Sequence, residues 1–117
     1  MPHIKFSGLD VLRVKTLSKE ISNDLSTVMN CPIDWITFTV GANGDGNIFS
    51  DGQLVKDTVI VHIEWFDRGQ DIKDQVAKII TDAVYQTKRI KSAKIETINV
   101  IFVDLDKKDF YENGERL

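Results

Sequence analysis

The same succession of elements occurs twice along the chain: a strand, an amphipathic helix and a second strand. In the first half, residues 2–7 alternate between apolar and polar side chains, and an apolar stripe at helical spacing follows. In the second half, the nearly continuous apolar run at 58–66 precedes another amphipathic helix. Two such units with right-handed crossovers predict one four-stranded sheet with both helices on one face.

These repeats account for the whole chain as one domain, which is what 117 residues support. The predicted class is α+β, a two-layer α/β arrangement built on a tandem β-α-β pseudo-repeat with a mixed sheet. The dipeptide Asn113-Gly114 predicts a tight turn near the end of the chain. The predicted divisions of the single domain 1–117 are the pseudo-repeats 2–40 and 58–105, the linker 41–57 and the C-terminal hairpin 106–117.

Capping residues and proline predict where the helices begin and end. Asp10 is a candidate N-cap for the first helix, and Pro32 disfavours helix at the residue before it, so this helix should end near Asn30. Asp71 is the candidate N-cap of the second helix, which should reach about residue 90. The second strand is predicted at 35–40.

The face of the sheet away from the helices also carries apolar residues. Alternation along the third strand places Ile63 and Trp65 on one face and Ile60 and Phe66 on the other. Along the fourth strand it places Val100 and Phe102 on one face and Ile101 and Val103 on the other, so both faces carry apolar residues. A monomer would expose a patch of the size that marks an interface. The chain is therefore predicted to form an oligomer.

Composition excludes several classes of partner. The net charge is −3 with no basic stripe, so no nucleic acid is expected. The apolar runs are too short to span a membrane, and the N-terminus lacks an apolar signal segment, so the cytoplasm is the expected location. His3, His62 and the single cysteine, Cys31, lack metal-ligand spacing, so no metal is expected and Cys31 is interpreted as a buried packing thiol.

Pro2 is the one position with distinctive chemistry. If Met1 is removed, Pro2 carries a free secondary amine at the start of a strand. A terminal amine has a reference pKa of about 7.7–8.0, and burial lowers the pKa because it disfavours the charged form. Such an amine is a usable general base near neutral pH. The structural alternative is a proline that is simply tolerated as the first residue of a strand.

Four stretches give the chain a resemblance to a known family: Met1-Pro2-His3, residues 30–36, residues 64–70 and the tail 111–115. With the paired strand–helix–strand units, they resemble the tautomerase superfamily of 4-oxalocrotonate tautomerase and macrophage migration inhibitory factor, and look closest to an uncharacterised bacterial branch. The resemblance implies a homotrimer with the sheets inside and the helices outside. It also implies cofactor-free proton transfer on a small enol or α-keto acid that carries a carboxylate.

The resemblance also implies roles for particular residues. Pro2 matches the catalytic proline, and Arg68 follows the third strand, where a cationic side chain would hold a substrate carboxylate. Trp65 and Phe66 could form walls of the substrate pocket, and Tyr111 could reach a pocket from the tail.

Each of these roles has a structural alternative. Arg68 could be a surface arginine paired with Asp67 or Asp71, and the two aromatic residues could belong to the core. If Met1 stays attached, the Pro2 nitrogen is a tertiary amide with no basicity. The alternative function is therefore a non-catalytic oligomeric binding or scaffold protein that retains the fold.

Overall fold

Two long helices and a four-stranded sheet form the body of the protein. The structure is a computed structural model that describes residues 1–41, 48–87 and 95–117. The helices are α1 (Val11–Met29) and α2 (Gln70–Thr87), and short 3-10 helices cover Ile33–Trp35 and Lys107–Asp109. The strands are β1 (His3–Ser7), β2 (Thr37–Val40), β3 (Phe49–Ser50), β4 (Gln53–Leu54), β5 (Thr58–Trp65), β6 (Thr97–Asp104), β7 (Tyr111–Glu112) and β8 (Glu115–Arg116).

The main sheet is mixed and has the strand order β2-β1-β5-β6. Each strand–helix–strand unit contributes a parallel pair, β1 with β2 and β5 with β6, and the two units join through antiparallel pairing of β1 with β5. The predicted tandem repeat with a mixed four-stranded sheet is confirmed. This topology brings the starts of β1 and β2 and the ends of β5 and β6 to one edge of the sheet.

Helix α1 begins and ends at the residues that the sequence predicts. The Asp10 side chain accepts a hydrogen bond from the Arg13 backbone N–H at 2.8 Å, which satisfies one of the free donors of the first turn. Asn30 closes the helix in the left-handed region with φ 51°, and its N–H donates to the Ser26 and Thr27 carbonyls. Cys31 follows as a buried free thiol, as expected.

The core lies between the helices and one face of the sheet. Ile4 and Phe6 of β1 and Val61 of β5 are fully buried there, and Leu17 and Ile80 cover them from the two helices. Along β5, buried residues alternate with partly exposed ones, which is the period expected of a strand with one covered face.

The opposite face of the sheet has no helix over it among the described residues. It presents Lys5 and Glu64 in its centre, whereas β6 contributes Ile101, 42% exposed, and Val103, 39% exposed. The apolar part of this face is therefore confined to the β5–β6 side, and the β1–β2 side is polar.

Two predicted boundaries are corrected by the structure, and a third is not tested. The second strand begins at Thr37 because the segment before it, Ile33–Trp35, forms a 3-10 turn after Pro32. Asp71 is not the N-cap of α2: the helix begins at Gln70, and Asp71 lies in its first turn, where a carboxylate still suits the helix dipole. The predicted helix end near residue 90 lies outside the described residues.

The two predicted turn regions both contain hairpins. In the linker, β3 pairs with β4, while residues 42–47 lie outside the described part of the chain. At the C-terminus, β7 pairs with β8 across Asn113 and Gly114, whose φ angles of 52° and 83° are those of a type I′ turn. A hairpin therefore spans 111–116.

Candidate active-site cavity

A cavity of about 730 Å³ opens at the edge of the sheet where β1 and β2 begin and β5 ends. Its walls come from four segments that are distant in sequence: the chain start, the 3-10 turn before β2, the segment after β5 and the C-terminal segment. The volume lies in the range of small-molecule sites. Residues that line it include Met1, His3, Asp34, Trp35, Thr37, Phe66, Asp67, Arg68, Lys107, Phe110 and Glu112.

Pro2 is buried between two residues of this lining, Met1 and His3. Its carbonyl accepts a hydrogen bond from the Thr37 N–H at 3.1 Å, which continues the pairing of β1 with β2. The His3 Nδ1 forms a hydrogen bond with the Thr37 hydroxyl. The backbone after Pro2 is therefore held in place, and removal of Met1 would leave the Pro2 nitrogen as the terminal amine next to the lining residue His3.

The Met1 amine shows what environment a terminal amine meets here. Its pKa is lowered from the ordinary value of 8.0, chiefly because burial disfavours the charged form. The Arg68 guanidinium lowers this pKa further, whereas Cys31, Glu112 and Asp34 act in the opposite direction. An amine at this end of β1 therefore stands close to both positive and negative groups.

Arg68 is anchored by the protein backbone. Its Nε donates to the Met29 carbonyl at 3.2 Å, its Nη1 donates to the Phe66 carbonyl at 2.9 Å, and its guanidinium lies 5.3 Å from the centroid of the Trp65 ring. Nη2 has no acceptor among the described residues. Neither Asp67 nor Asp71 forms an ion pair with Arg68, so the guanidinium is a positioned cation with donors still available.

Two aromatic rings, those of Phe66 and Phe110, form another part of the cavity wall. Phe66 and Phe110 meet edge to face, with ring centroids 5.6 Å apart. The Lys107 ammonium lies 5.9 Å from the centroid of the Phe66 ring. These contacts fasten the C-terminal segment to the end of β5 and bring Lys107 to the cavity.

Three candidate site residues are not among the residues that line the cavity: Pro2, Trp65 and Tyr111. Trp65 is fully buried in the core, where its Nε1–H donates to Asp104 Oδ1 at 2.7 Å. The Arg68 guanidinium lies over its ring. Tyr111 is 62% exposed in β7, although its neighbour Glu112 does line the cavity.

Sequence reasoning missed most of the lining, including Asp34, Trp35, Lys107 and Glu112. A signal for the first two was available, because a segment that leads into a strand parallel to β1 must begin beside Pro2. Lys107 and Glu112 reach the cavity only because the C-terminal segment packs against Phe66, and no periodicity in the sequence encodes that contact.

Within the described residues, no three histidine, cysteine, aspartate or glutamate side chains are grouped so that they could bind a metal ion. No helix in the described part of the chain is long and apolar enough to cross a membrane.

The fold is that of the tautomerase superfamily. A fused 4-OT wild-type asymmetric trimer has a TM-score of 0.78 at 14% identity, with 97% of this chain and 94% of that chain covered. A macrophage migration inhibitory factor homologue from Prochlorococcus marinus has a TM-score of 0.73 at 16% identity, with coverage of 98% and 96%. At such identities the likeness shows the fold alone.

The chain belongs to the family described as Domain of unknown function (DUF1904), which matches residues 1–116. A crystal structure of a DUF1904 domain from Sebaldella termitidis has a TM-score of 0.83 at 26% identity, and 100% of both chains is covered. No curated protein matches the chain. The predicted resemblance to tautomerase-superfamily proteins is therefore confirmed for the fold.

Proposed function

We propose that this protein is a tautomerase-like isomerase that transfers a proton on a small enol or α-keto acid without a cofactor. One observation carries the proposal: Pro2 is buried between two lining residues of a cavity that Arg68 also lines. The tautomerase-like fold supports it, although a fold by itself does not establish an activity.

In this proposal the Pro2 nitrogen is the general base, once Met1 has been removed. Burial is the chief cause that lowers the pKa of the Met1 amine, and Pro2 is itself buried, so burial would lower the pKa of a free Pro2 amine in the same direction. A lower pKa increases the neutral fraction near pH 7, and only the neutral amine can accept a proton.

Arg68 is the proposed anchor for the substrate carboxylate. Its backbone contacts hold the guanidinium in place before substrate arrives, and Nη2 is directed to no other described group. The carboxylate would bind there while the amine accepts a proton from the carbon beside the keto group. The resulting ammonium then protonates the enolate oxygen, and the reverse sequence returns the keto form. Phe66 would pack against the substrate chain.

We propose that the protein works as a homotrimer whose open sheet faces lie inside. The exposed Ile101 and Val103 on β6 support burial of this face. The trimeric state of the fused 4-OT with a similar fold supports the number of subunits.

Hydrogen–deuterium exchange tests the activity without knowledge of the natural substrate. The C3 protons of 2-oxobutanoate would be followed by NMR in D2O, and we expect the protein to accelerate their loss. Pro2→Ala should abolish this acceleration and leave the oligomeric state unchanged. Pro32 is the chain's only other proline and does not line the cavity, so Pro32→Ala should retain the acceleration. Undiminished exchange by Pro2→Ala would refute the role of Pro2.

A non-catalytic binding protein is the second candidate, and one observation favours it. When Met1 stays attached, Met1 lines the cavity and the Pro2 nitrogen is part of an amide. In that case the cavity would bind a small anion at Arg68 without turnover. Calorimetric binding of 2-oxobutanoate with no exchange at C3 would support this function over the first.

A further inference from the structure

The cavity carries charged groups of both signs whose hydrogen-bonding capacity is not used within the described chain. On the positive side, Arg68 retains Nη2, and the Lys107 ammonium contacts only the face of Phe66. A ring face offers no lone pair, so the three donors of Lys107 stay free for a ligand or water.

On the negative side, the carboxylates of Asp34 and Glu112 line the same cavity. Neither forms a hydrogen bond or an ion pair with any described residue. Asp67 differs, because its Oδ1 accepts from the Gly69 N–H at 2.9 Å and lies 3.9 Å from the Lys73 ammonium.

These charges line one cavity rather than separate surfaces. Three of these groups act on the Met1 amine, whose pKa Arg68 lowers while Glu112 and Asp34 raise it. Opposite charges that share a cavity and do not neutralise each other leave room for a ligand that supplies both counter-charges.

We propose that this cavity selects a zwitterionic ligand, with its carboxylate at Arg68 and Lys107 and its ammonium at Asp34 and Glu112. The chemical class is a small amino-carboxylate rather than a dicarboxylate. This assignment concerns which class of molecule binds in the cavity. It rests on the proposed function only where it implies that the bound molecule reacts.

Electrostatics separates the two ligand classes. A dicarboxylate would place its second negative charge beside Asp34 and Glu112, and close like charges are unfavourable. An ammonium in the same position would pair with both carboxylates. The cavity edge is solvated, so each pair contributes modestly, and the expected preference is about fivefold rather than orders of magnitude.

Three ligands of equal chain length test this selection: hexanoate, adipate and 6-aminohexanoate. Affinities would be measured by isothermal titration calorimetry, with fluorescence of Trp35 in the cavity wall as a second readout. We expect 6-aminohexanoate to bind about fivefold more tightly than hexanoate, and adipate to bind more weakly than hexanoate. Adipate as the tightest ligand, or no binding by any of the three, would overturn the proposal.

Variants show whether the two carboxylates cause the preference. The double variant Asp34→Asn with Glu112→Gln should bind hexanoate and 6-aminohexanoate equally. The matched control, Asp51→Asn with Glu115→Gln, removes the same charges from exposed hairpin positions outside the lining and should keep the preference. A preference that survives in Asp34→Asn with Glu112→Gln overturns the assignment.

The outcome is independent of the proposed isomerase activity, because none of the three ligands has a keto group. Retained selectivity with no exchange of 2-oxobutanoate would refute the isomerase and leave the ligand class standing. Exchange that depends on Pro2, combined with no selectivity, would refute the ligand class alone.

Discussion

Arg68→Lys is the substitution that best separates the structural role of the arginine from its proposed role in binding. The guanidinium donates to the Met29 and Phe66 carbonyls at 3.2 and 2.9 Å, and thereby joins the end of α1 to the segment after β5. Lysine keeps the charge but lacks the planar fork, so it can replace one of these bonds and not both.

The expected cost follows from these contacts. A buried hydrogen bond from a charged group contributes about 1.5–3 kcal/mol, and Arg68 is partly exposed, so the loss of one bond should cost about 1.5 kcal/mol. Weaker stacking on Trp65 adds about 0.5 kcal/mol. The free energy of unfolding should therefore fall by about 2 kcal/mol, and the melting temperature by about 8 °C.

Urea unfolding followed by circular dichroism measures this loss. Arg116→Lys is the matched control, because Arg116 is exposed in β8 and outside the cavity lining, and its substitution should change the free energy of unfolding by less than about 0.5 kcal/mol. An Arg68→Lys variant as stable as this control would refute the conclusion that backbone contacts fix the guanidinium.

Two further predictions concern stability. Gly8→Ala should lower the free energy of unfolding by about 2–4 kcal/mol, because Gly8 has φ +95° and an added Cβ would lie 2.4 Å from the Thr58 carbonyl oxygen. Gly114 has φ +83° but open space around it, so Gly114→Ala should lower this free energy by only about 1 kcal/mol in the same urea assay. The lowered pKa of the Met1 amine means that the folded state releases this proton more readily than the unfolded state, so stability should rise with pH between the lowered pKa and 8.0. Acetylation of the amine should remove this part of the pH dependence, and an identical profile after acetylation would contradict the assigned environment.

The strands and helices of the main body could be predicted from periodicity because one face of each is buried against the other layer. Alternation along β5 placed Trp65 on the same face as Ile63, and both are fully buried in the structure. The same parity shows why Trp65 lies in the core while Phe66, one residue later, reaches the cavity. Backbone alternation was thus a better guide to Trp65 than the position of the residue at a strand end.

The cavity was harder to predict because it is assembled from segments that meet only in the folded chain. Arg68 and Pro2 had a chemical signal, since one is a cation after a strand and the other a potential terminal amine. Lys107 and Glu112 had none, because an exposed charged residue in a loop or a hairpin is ordinary surface composition. Their relevance comes from the packing of the C-terminal segment against the end of β5.

The most direct test of the central claim is the exchange of the C3 protons of 2-oxobutanoate by two forms of the same protein, one with Met1 and one without. Intact-mass measurement would establish the identity of each form before the assay. The account predicts that exchange requires the form in which the Pro2 amine is free. Equal exchange by both forms, or none by the form that lacks Met1, would contradict it.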